Sequence, residues 1–299
     1  MEPSPNTPLE FCPACGAPNP GFGLECTDHF LSQERFTIMR CHTCRVLFTQ
    51  PQPKPDAIGR YYRSEKYISH SDTSKGVVNK VYRYVRSIAV NQKYRLVSRY
   101  QPKGSLLDIG CGTGHLLNTF ASHGWQTKGI EPGSEARKYA MKTFGLDVED
   151  EPALANLPDA SFDVVSMWHV LEHVHDVRER MGQVKRVLKD GGLAVVALPN
   201  HASWDAKHYG PFWAAWDVPR HLYHFNREAL ELLARESGFM IHAILPMKFD
   251  AYYVSILSEE YSTGRKRFLH AALKGWKSNR KASGTGEYSS LIYLLRKQP

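Results

Sequence analysis

Nowhere in the 299 residues is there a run of about 18 apolar side chains, the length a bilayer-crossing helix needs. No transmembrane segment is therefore expected. The opening MEPSPNTPLE mixes acids and prolines with no apolar core, so no signal peptide is predicted either. Cysteine is sparse, with six in all, and four of them stand in two CxxC pairs. That usage fits a reducing cytoplasm better than a disulfide scaffold. No internal repeat or low-complexity segment is evident, and acids are absent from Arg265 to Lys281, a stretch with seven basic residues. With Lys80, Arg83, Arg86, Lys93, Arg95 and Arg99, this stretch carries much of the net charge of +8. The sequence pI of about 9.1 stands where a nucleic-acid footprint becomes suggestive, although solvated helix faces are the commoner cause. A hydrophobic content of 42% and the chain length suit one sizeable globular domain plus a small one.

The small domain comes first. Cys12-Pro-Ala-Cys15 and Cys41-His-Thr-Cys44 form two knuckles separated by 25 residues. Each can turn two thiolates toward one tetrahedral zinc, and four thiolates close the site, which makes it structural rather than catalytic. A zinc-ribbon-like module over residues 1–50 is expected, with Arg35–Arg40 as one strand and Cys26, His29 and His42 as bystanders. Pro51, Pro53 and Pro55 predict an extended spacer. With Tyr61, Tyr62, Tyr67 and the polar Ser69–Lys75, it makes 51–75 a linker. From Val77 the apolar positions 77, 78, 81, 85 and 88 follow the period of an amphipathic helix.

The remainder, 76–299, alternates as βαβ units do. Strands are expected at Ser105–Ile109, Gln126–Ile130, Leu146–Val148, Phe162–Met167, Gly192–Ala197, Met240–Leu245 and Leu291–Arg296. Helices are expected near His115–His123, Ser134–Phe144, Val177–Leu188 and Arg227–Ser237. Insertions fall at about 200–225 and 246–290. The fold class is α/β, a Rossmann-like sheet of seven strands with the last antiparallel.

Leu106–Gly114, LLDIGCGTG, organises this core. A buried strand ends in Asp108, a loop with Gly110, Gly112 and Gly114 follows, and a helix opens at His115. Such a loop brings backbone N–H groups and a helix N-terminus against a ligand. A dinucleotide fingerprint would carry its third glycine at His115, and a carboxylate at the strand end attracts a cation rather than a pyrophosphate. The second strand ends in Glu131, placed for ribose hydroxyls. With these features the chain resembles the class I S-adenosylmethionine-dependent methyltransferases, over roughly residues 104–245. LDIGCGTG looks like their first motif and GIEP like the acidic end of their second strand. The resemblance implies S-adenosylmethionine bound by Asp108, Gly110, Cys111, Gly112, Thr113, Gly114, Glu131 and Pro132. Leu154 would stand by the adenine and Trp168 at the end of strand four.

Acceptor chemistry belongs beyond strands four and five. Seven of the fourteen histidines lie between His169 and His224, and four of the six tryptophans between Trp168 and Trp216. If a helix begins after strand four, His169, Glu172 and His173 share a face. HVLEHV resembles the matching segment of methyltransferases that O-methylate quinone precursors. There an acid often stands where this chain has His169, and a metal has been associated with the acidic pair. His169 is expected as general base, with His221 second and His173 beside them. Glu172, Trp213, Trp216, Arg220, Tyr223 and His224 are expected to line an acceptor pocket. Arg220 would suit an acidic or phosphorylated acceptor.

No Asn/Asp-Pro-Pro-Tyr/Phe follows strand four, and no cysteine follows strand four or five as a nucleophile. The expected reaction is methyl transfer to oxygen or carbon of a small-molecule, saccharide or lipid-type acceptor. The alternatives are a sugar C-methyltransferase, an RNA methyltransferase using the zinc module and basic segments, and a non-catalytic cofactor-binding module. Oligomeric state is not encoded in any motif.

Overall fold

The computed structural model describes residues 10–62 and 77–299, with the side chains of 77–85 left out. Tyr67 and Ser69–Lys75, expected within the linker, lie outside the described residues. In chain order the strands β1 (Gly21–Thr27), β2 (Arg35–Arg40) and β3 (Leu47–Gln50) precede helix α1 (Val77–Tyr100). The core then alternates β4 (Ser105–Ile109), α2 (His115–Ser122), β5 (Gln126–Ile130), α3 (Ser134–Phe144), β6 (Val148–Glu149), α4 (Ala153–Asn156), β7 (Phe162–Trp168), α5 (Val177–Val187) and β8 (Leu188–Pro199). It continues with α6 (Trp204–Tyr209), β9 (Tyr223–His224), α7 (Arg227–Glu236), β10 (Phe239–Pro246), α8 (Asp250–Thr263), α9 (Phe268–Thr285) and β11 (Ser290–Lys297).

The large sheet has the order β10-β11-β8-β7-β4-β5-β6, with β11 antiparallel to both neighbours. The expected seven-stranded fold is therefore the observed one. β4 is buried at every position, as a central parallel strand covered on both faces must be. Asp163 pins it to β7, accepting from Ser105 N–H and Oγ–H at 2.8 Å. Two strands differ from expectation. The third is displaced to Val148–Glu149, and the fifth runs the whole length of Leu188–Pro199, because β7 pairs with it from Leu188 and β11 out to Pro199.

The small sheet, β1-β2-β3-β9, carries the main architectural surprise. Its fourth strand comes from the insertion after β8: Leu47 pairs with His224 and Phe48 with Tyr223. Residues 51–62 are correspondingly no free spacer. Gln52 donates to Leu222 O at 3.1 Å, His175 Nε2 bonds Pro53 O at 2.9 Å, and Tyr61 is 3% exposed in a short 3-10 helix. The expected extended spacer gives way to a turn, where Ala57 and Ile58 N–H donate to Lys54 O, and its acceptors and flanking side chains are used in packing. The region 246–290 forms the helical hairpin α8–α9. No helix among the described residues is long and apolar enough to cross a membrane.

Candidate active site

The glycine loop bends as its spacing requires. Gly110, Gly112 and Gly114 have φ of 72°, 54° and 78°, the left-handed region that side chains disfavour. Their surroundings differ. A Cβ on Gly110 would approach Val170 Cγ2 to 2.5 Å and one on Gly114 would meet Ala140 Cβ at 2.8 Å, whereas one on Gly112 meets nothing within 4 Å. The backbone at Gly112 is thus open for a ligand, and Val170 brings the segment beyond β7 directly against the loop.

Glu131 is held at the loop mouth by N–H donation from Gly112 and Gly133, both at 2.8 Å. Asp108 is 3% exposed and accepts from Ser166 Oγ at 2.6 Å. Burial pushes its carboxyl up to about 7 despite that bond. A buried acid so raised is stabilised by a cation placed beside it. Lys93 of α1 supplies one charge nearby, its Nζ lying 4.3 Å from the Trp168 ring centroid. The buried Trp168 indole N–H has no hydrogen-bond partner among the described residues. An open cradle at Gly112, an acid seeking a cation and an orphaned donor fit S-adenosylmethionine, which carries both positive charge and polar acceptors. Thr113 is half-buried, Pro132 exposed, and Cys111 buried. Leu154 is 1% exposed and packs within the core.

Directly beyond β7 no α-helix begins, so the condition for His169, Glu172 and His173 to share a helix face is not met. His169 N–H extends the ladder to Ala197 O, and His169 itself adopts φ of 58°, which turns the chain into a single 3-10 turn, Leu171–His173. His169 is clamped between two carboxylates, with Nε2 at 3.0 Å from Asp250 and Nδ1 at 3.3 Å from Glu172. Burial opposes charge on this ring, but the two acids outweigh it and hold its pKa up at about 10. An imidazole already protonated at neutral pH accepts no further proton, so this geometry does not support the expected base role of His169.

Glu172, His173 and His221 come together instead, with one ligand-type atom of each within 4.8 Å of the others. His173 Nδ1 lies 3.0 Å from Arg220 O, and His221 Nδ1 lies 2.9 Å from Ala215 O. A carbonyl only accepts, so each Nδ1 carries the proton and each Nε2 keeps its lone pair. Glu172 is 1% exposed, and its Oε2 has no partner among the described residues. Burial and the neighbouring His221 push His173 down to about 4, which keeps it neutral. By donor set this cluster could hold a divalent cation or take a proton. Tyr62 Oη, 3.0 Å from His173 Nδ1, joins it.

The expected acceptor-pocket residues are largely used elsewhere. Trp213, Trp216, Tyr223 and His224 are 2%, 6%, 0% and 4% exposed. Each has a protein partner for a polar atom: Trp213 Nε1–H donates to Asp205, Trp216 Nε1–H to Gly210 O, Tyr223 Oη–H to His175 O, and His224 Nε2 lies 3.0 Å from Thr49 Oγ1. Arg220 is not free for an acidic acceptor, since Asp28, Asp217 and Tyr61 O occupy its guanidinium. The reason is that the insertion satisfies itself through Asp205, Gly210 and Asp217, and packs against the N-terminal region, which supplies Asp28, Thr49 and Tyr61 O. Glu172, Trp213, Tyr223 and His224 still line one small cavity with His221, whereas Trp216 and Arg220 do not.

Sequence reasoning missed Asp250, Lys93 as a site residue, Tyr62 and Asp28. Lys93 had a signal, the basic amphipathic helix leading into β4. Asp250 had none, because only the docking of α8 brings it to His169. At the N-terminus the four expected cysteines do cluster, Cys12–Cys44 and Cys15–Cys41 at 3.7 and 3.6 Å between sulfurs.

A family model for a methyltransferase domain matches residues 83–244, more than half of the chain. A ubiquinone biosynthesis O-methyltransferase of Rhodopseudomonas palustris is 37% identical over 100 residues, 32% of this chain and 40% of that protein. One from Paramagnetospirillum magneticum is 28% identical over 158 residues, 49% of this chain and 63% of that one. The matched part of the chain thus spans 40% of the first relative's length and 63% of the second's, under two thirds of each. Among solved structures, a SAM-dependent methyltransferase from Thermotoga maritima aligns with a TM-score of 0.51 at 21% identity, covering 74% of this chain and 96% of that one. Another from Archaeoglobus fulgidus aligns at 0.50 and 18%, covering 71% and 94%. The chain belongs to the methyltransferase-domain family, enzymes built on the S-adenosylmethionine-dependent Rossmann-like fold.

Proposed function

We propose that this enzyme methylates a hydroxyl oxygen of a small hydroxylated acceptor, of the quinone-precursor type on which the O-methyltransferase relatives act. The observation that carries the reading is the Glu172–His173–His221 cluster, in which Glu172 and His173 follow Val170, the residue against the glycine loop, and His221 comes from the insertion after β8. S-adenosylmethionine, when bound, supplies an electrophilic methyl on an excellent leaving group. Asp108, the loop backbone and Glu131 would hold it. What the chain must add is alignment and a place for the acceptor's proton. His173 Nε2 or His221 Nε2 takes that proton, and the Glu172 carboxylate of the same cluster stabilises the imidazolium that forms. His169, fixed as a cation by Asp250 and Glu172, orients Glu172 rather than accepting a proton.

The four cysteines are proposed to hold one structural zinc, which a reducing cytoplasm would permit. Residues 1–50 are then a metal-held module and 76–299 the catalytic domain. Part of the intervening 51–75 serves as a brace. The test is methyl transfer by the full chain from labelled S-adenosylmethionine to a panel of catechol-type acceptors. O-methyl ether should form, and His173→Gln and His221→Gln together should lower turnover roughly 10²–10⁴-fold with cofactor binding unchanged. Cofactor binding without any product across the panel would refute the acceptor class. Full turnover in the double variant would refute the histidine base.

A further inference from the structure

The basic segment left without a role by the active site lies on α9 and the turn before it. α9 packs on the protein through small side chains, Ala271, Gly275, Ser278 and Ala282. The approach is close: a Cβ on Gly275 would come within 2.9 Å of the Tyr252 backbone. On the opposite side, Leu269, Leu273 and Trp276 recur at helical spacing and are 85%, 63% and 51% exposed. Scattered exposed apolar residues are ordinary, but a stripe of this kind along one helix is not. In the C-terminal half of α9, Asn279 donates to Lys248 O at 2.9 Å, and the neighbouring Phe249 and Tyr253 are each 56% exposed.

Cations border the stripe. Arg265, Lys274, Lys277, Arg280 and Lys281 have no acid within ion-pair distance among the described residues. Lys266 and Arg267 reach Glu260 and Glu259 only at 3.6 Å. Arg280 lies 5.3 Å from the Trp276 ring, an aromatic body with a charged rim. We propose that this face of α8–α9 docks on the surface of an anionic lipid bilayer, with Leu269, Leu273 and Trp276 entering the acyl boundary and the cations meeting lipid phosphates. An amphipathic helix with Trp and Leu on one side and Lys and Arg beside it binds in this way, as long basic side chains reach to the headgroups. Charge complementarity selects the occupant. A second copy docked through the same face would set like charges against one another. Nucleic acid would use the cations but leave the two leucines in water. The inference is independent of which acceptor is methylated.

The test is flotation of the full chain with vesicles of phosphatidylcholine alone or mixed with phosphatidylglycerol. Binding is expected to the mixed vesicles and not to the neutral ones, and should weaken as added salt screens the cations. Leu269→Ser with Leu273→Ser should reduce partitioning at least tenfold. Lys277→Gln or Lys281→Gln should each reduce it about fivefold. Unchanged melting temperatures would show that these exposed substitutions leave the fold intact. Failure of the wild type to float with anionic vesicles would overturn the proposal, as would flotation unaffected by the paired leucine change. So would a concentration-dependent dimer broken by that change, or RNA that displaces the protein from the vesicles.

Discussion

Arg220→Met is expected to unseat the N-terminal module from the catalytic domain. Arg220 is 2% exposed and Asp28 1%, and their closest contact is 2.9 Å. Asp28 also accepts from the N–H groups of Phe30, Leu31 and Ser32 and from Ser32 Oγ–H. Its hydrogen bonds therefore survive the loss of Arg220, but its charge does not stay compensated. Asp217, 2.6 Å from Arg220, is more exposed and recovers some solvation in water. The dominant loss is thus the buried pair with Asp28, about 3–5 kcal/mol for removing one partner. At roughly 2–4 °C per kcal/mol this predicts a melting point lower by ~6–20 °C. Asp28→Asn and the double variant complete a cycle, and a coupling of about 1.5 kcal/mol or more is expected for so close a pair. The same change should reach catalysis. Thr49 Oγ–H donates to His221 O at 2.6 Å, so a loosened module misplaces His221 while the glycine loop is untouched. Turnover should fall with cofactor affinity unchanged. A coupling below about 0.5 kcal/mol, in the range of an exposed pair, would refute the reasoning.

Three further outcomes are expected. His169→Ala leaves buried Glu172 without its cation and should cost about 3–5 kcal/mol by thermal melting. Because the pKa of His169 is raised to about 10, the wild type keeps that contribution at low and neutral pH and loses it as pH rises toward 10, a dependence the variant should lack. Asp108, raised to about 7 in the free protein, costs stability as pH rises toward 7, and a bound cation offsets this. Calorimetry should find S-adenosylmethionine affinity rising between pH 6 and 8, and flat in Asp108→Asn. Metal analysis should find about one zinc per chain, lost in Cys44→Ser along with part of the melting temperature; folded protein free of metal would refute the site.

What the sequence determined by itself was everything carried by short-range pattern. The βαβ alternation and the glycines at every second position are local, and both the sheet order and the left-handed φ values at Gly110, Gly112 and Gly114 agree with them. The paired CxxC knuckles are likewise local, and their sulfurs do converge. Tertiary structure alone decided the charge state and availability of the candidate residues. His169 carries an unperturbed pKa near 6.5 in any sequence, and becomes a fixed cation only because α8 delivers Asp250 to its other nitrogen. Arg220 read as an acceptor anchor because its partner Asp28 lies 192 positions away, across a chain crossing no periodicity reports. The aromatics from Trp213 to Tyr223 read as a pocket for the same reason, since a strand pairing from the other end of the chain buried them. Backbone propensity and spacing act over a few residues, whereas desolvation and ion pairing depend on what the folded chain packs against a group, and that is set by the whole molecule.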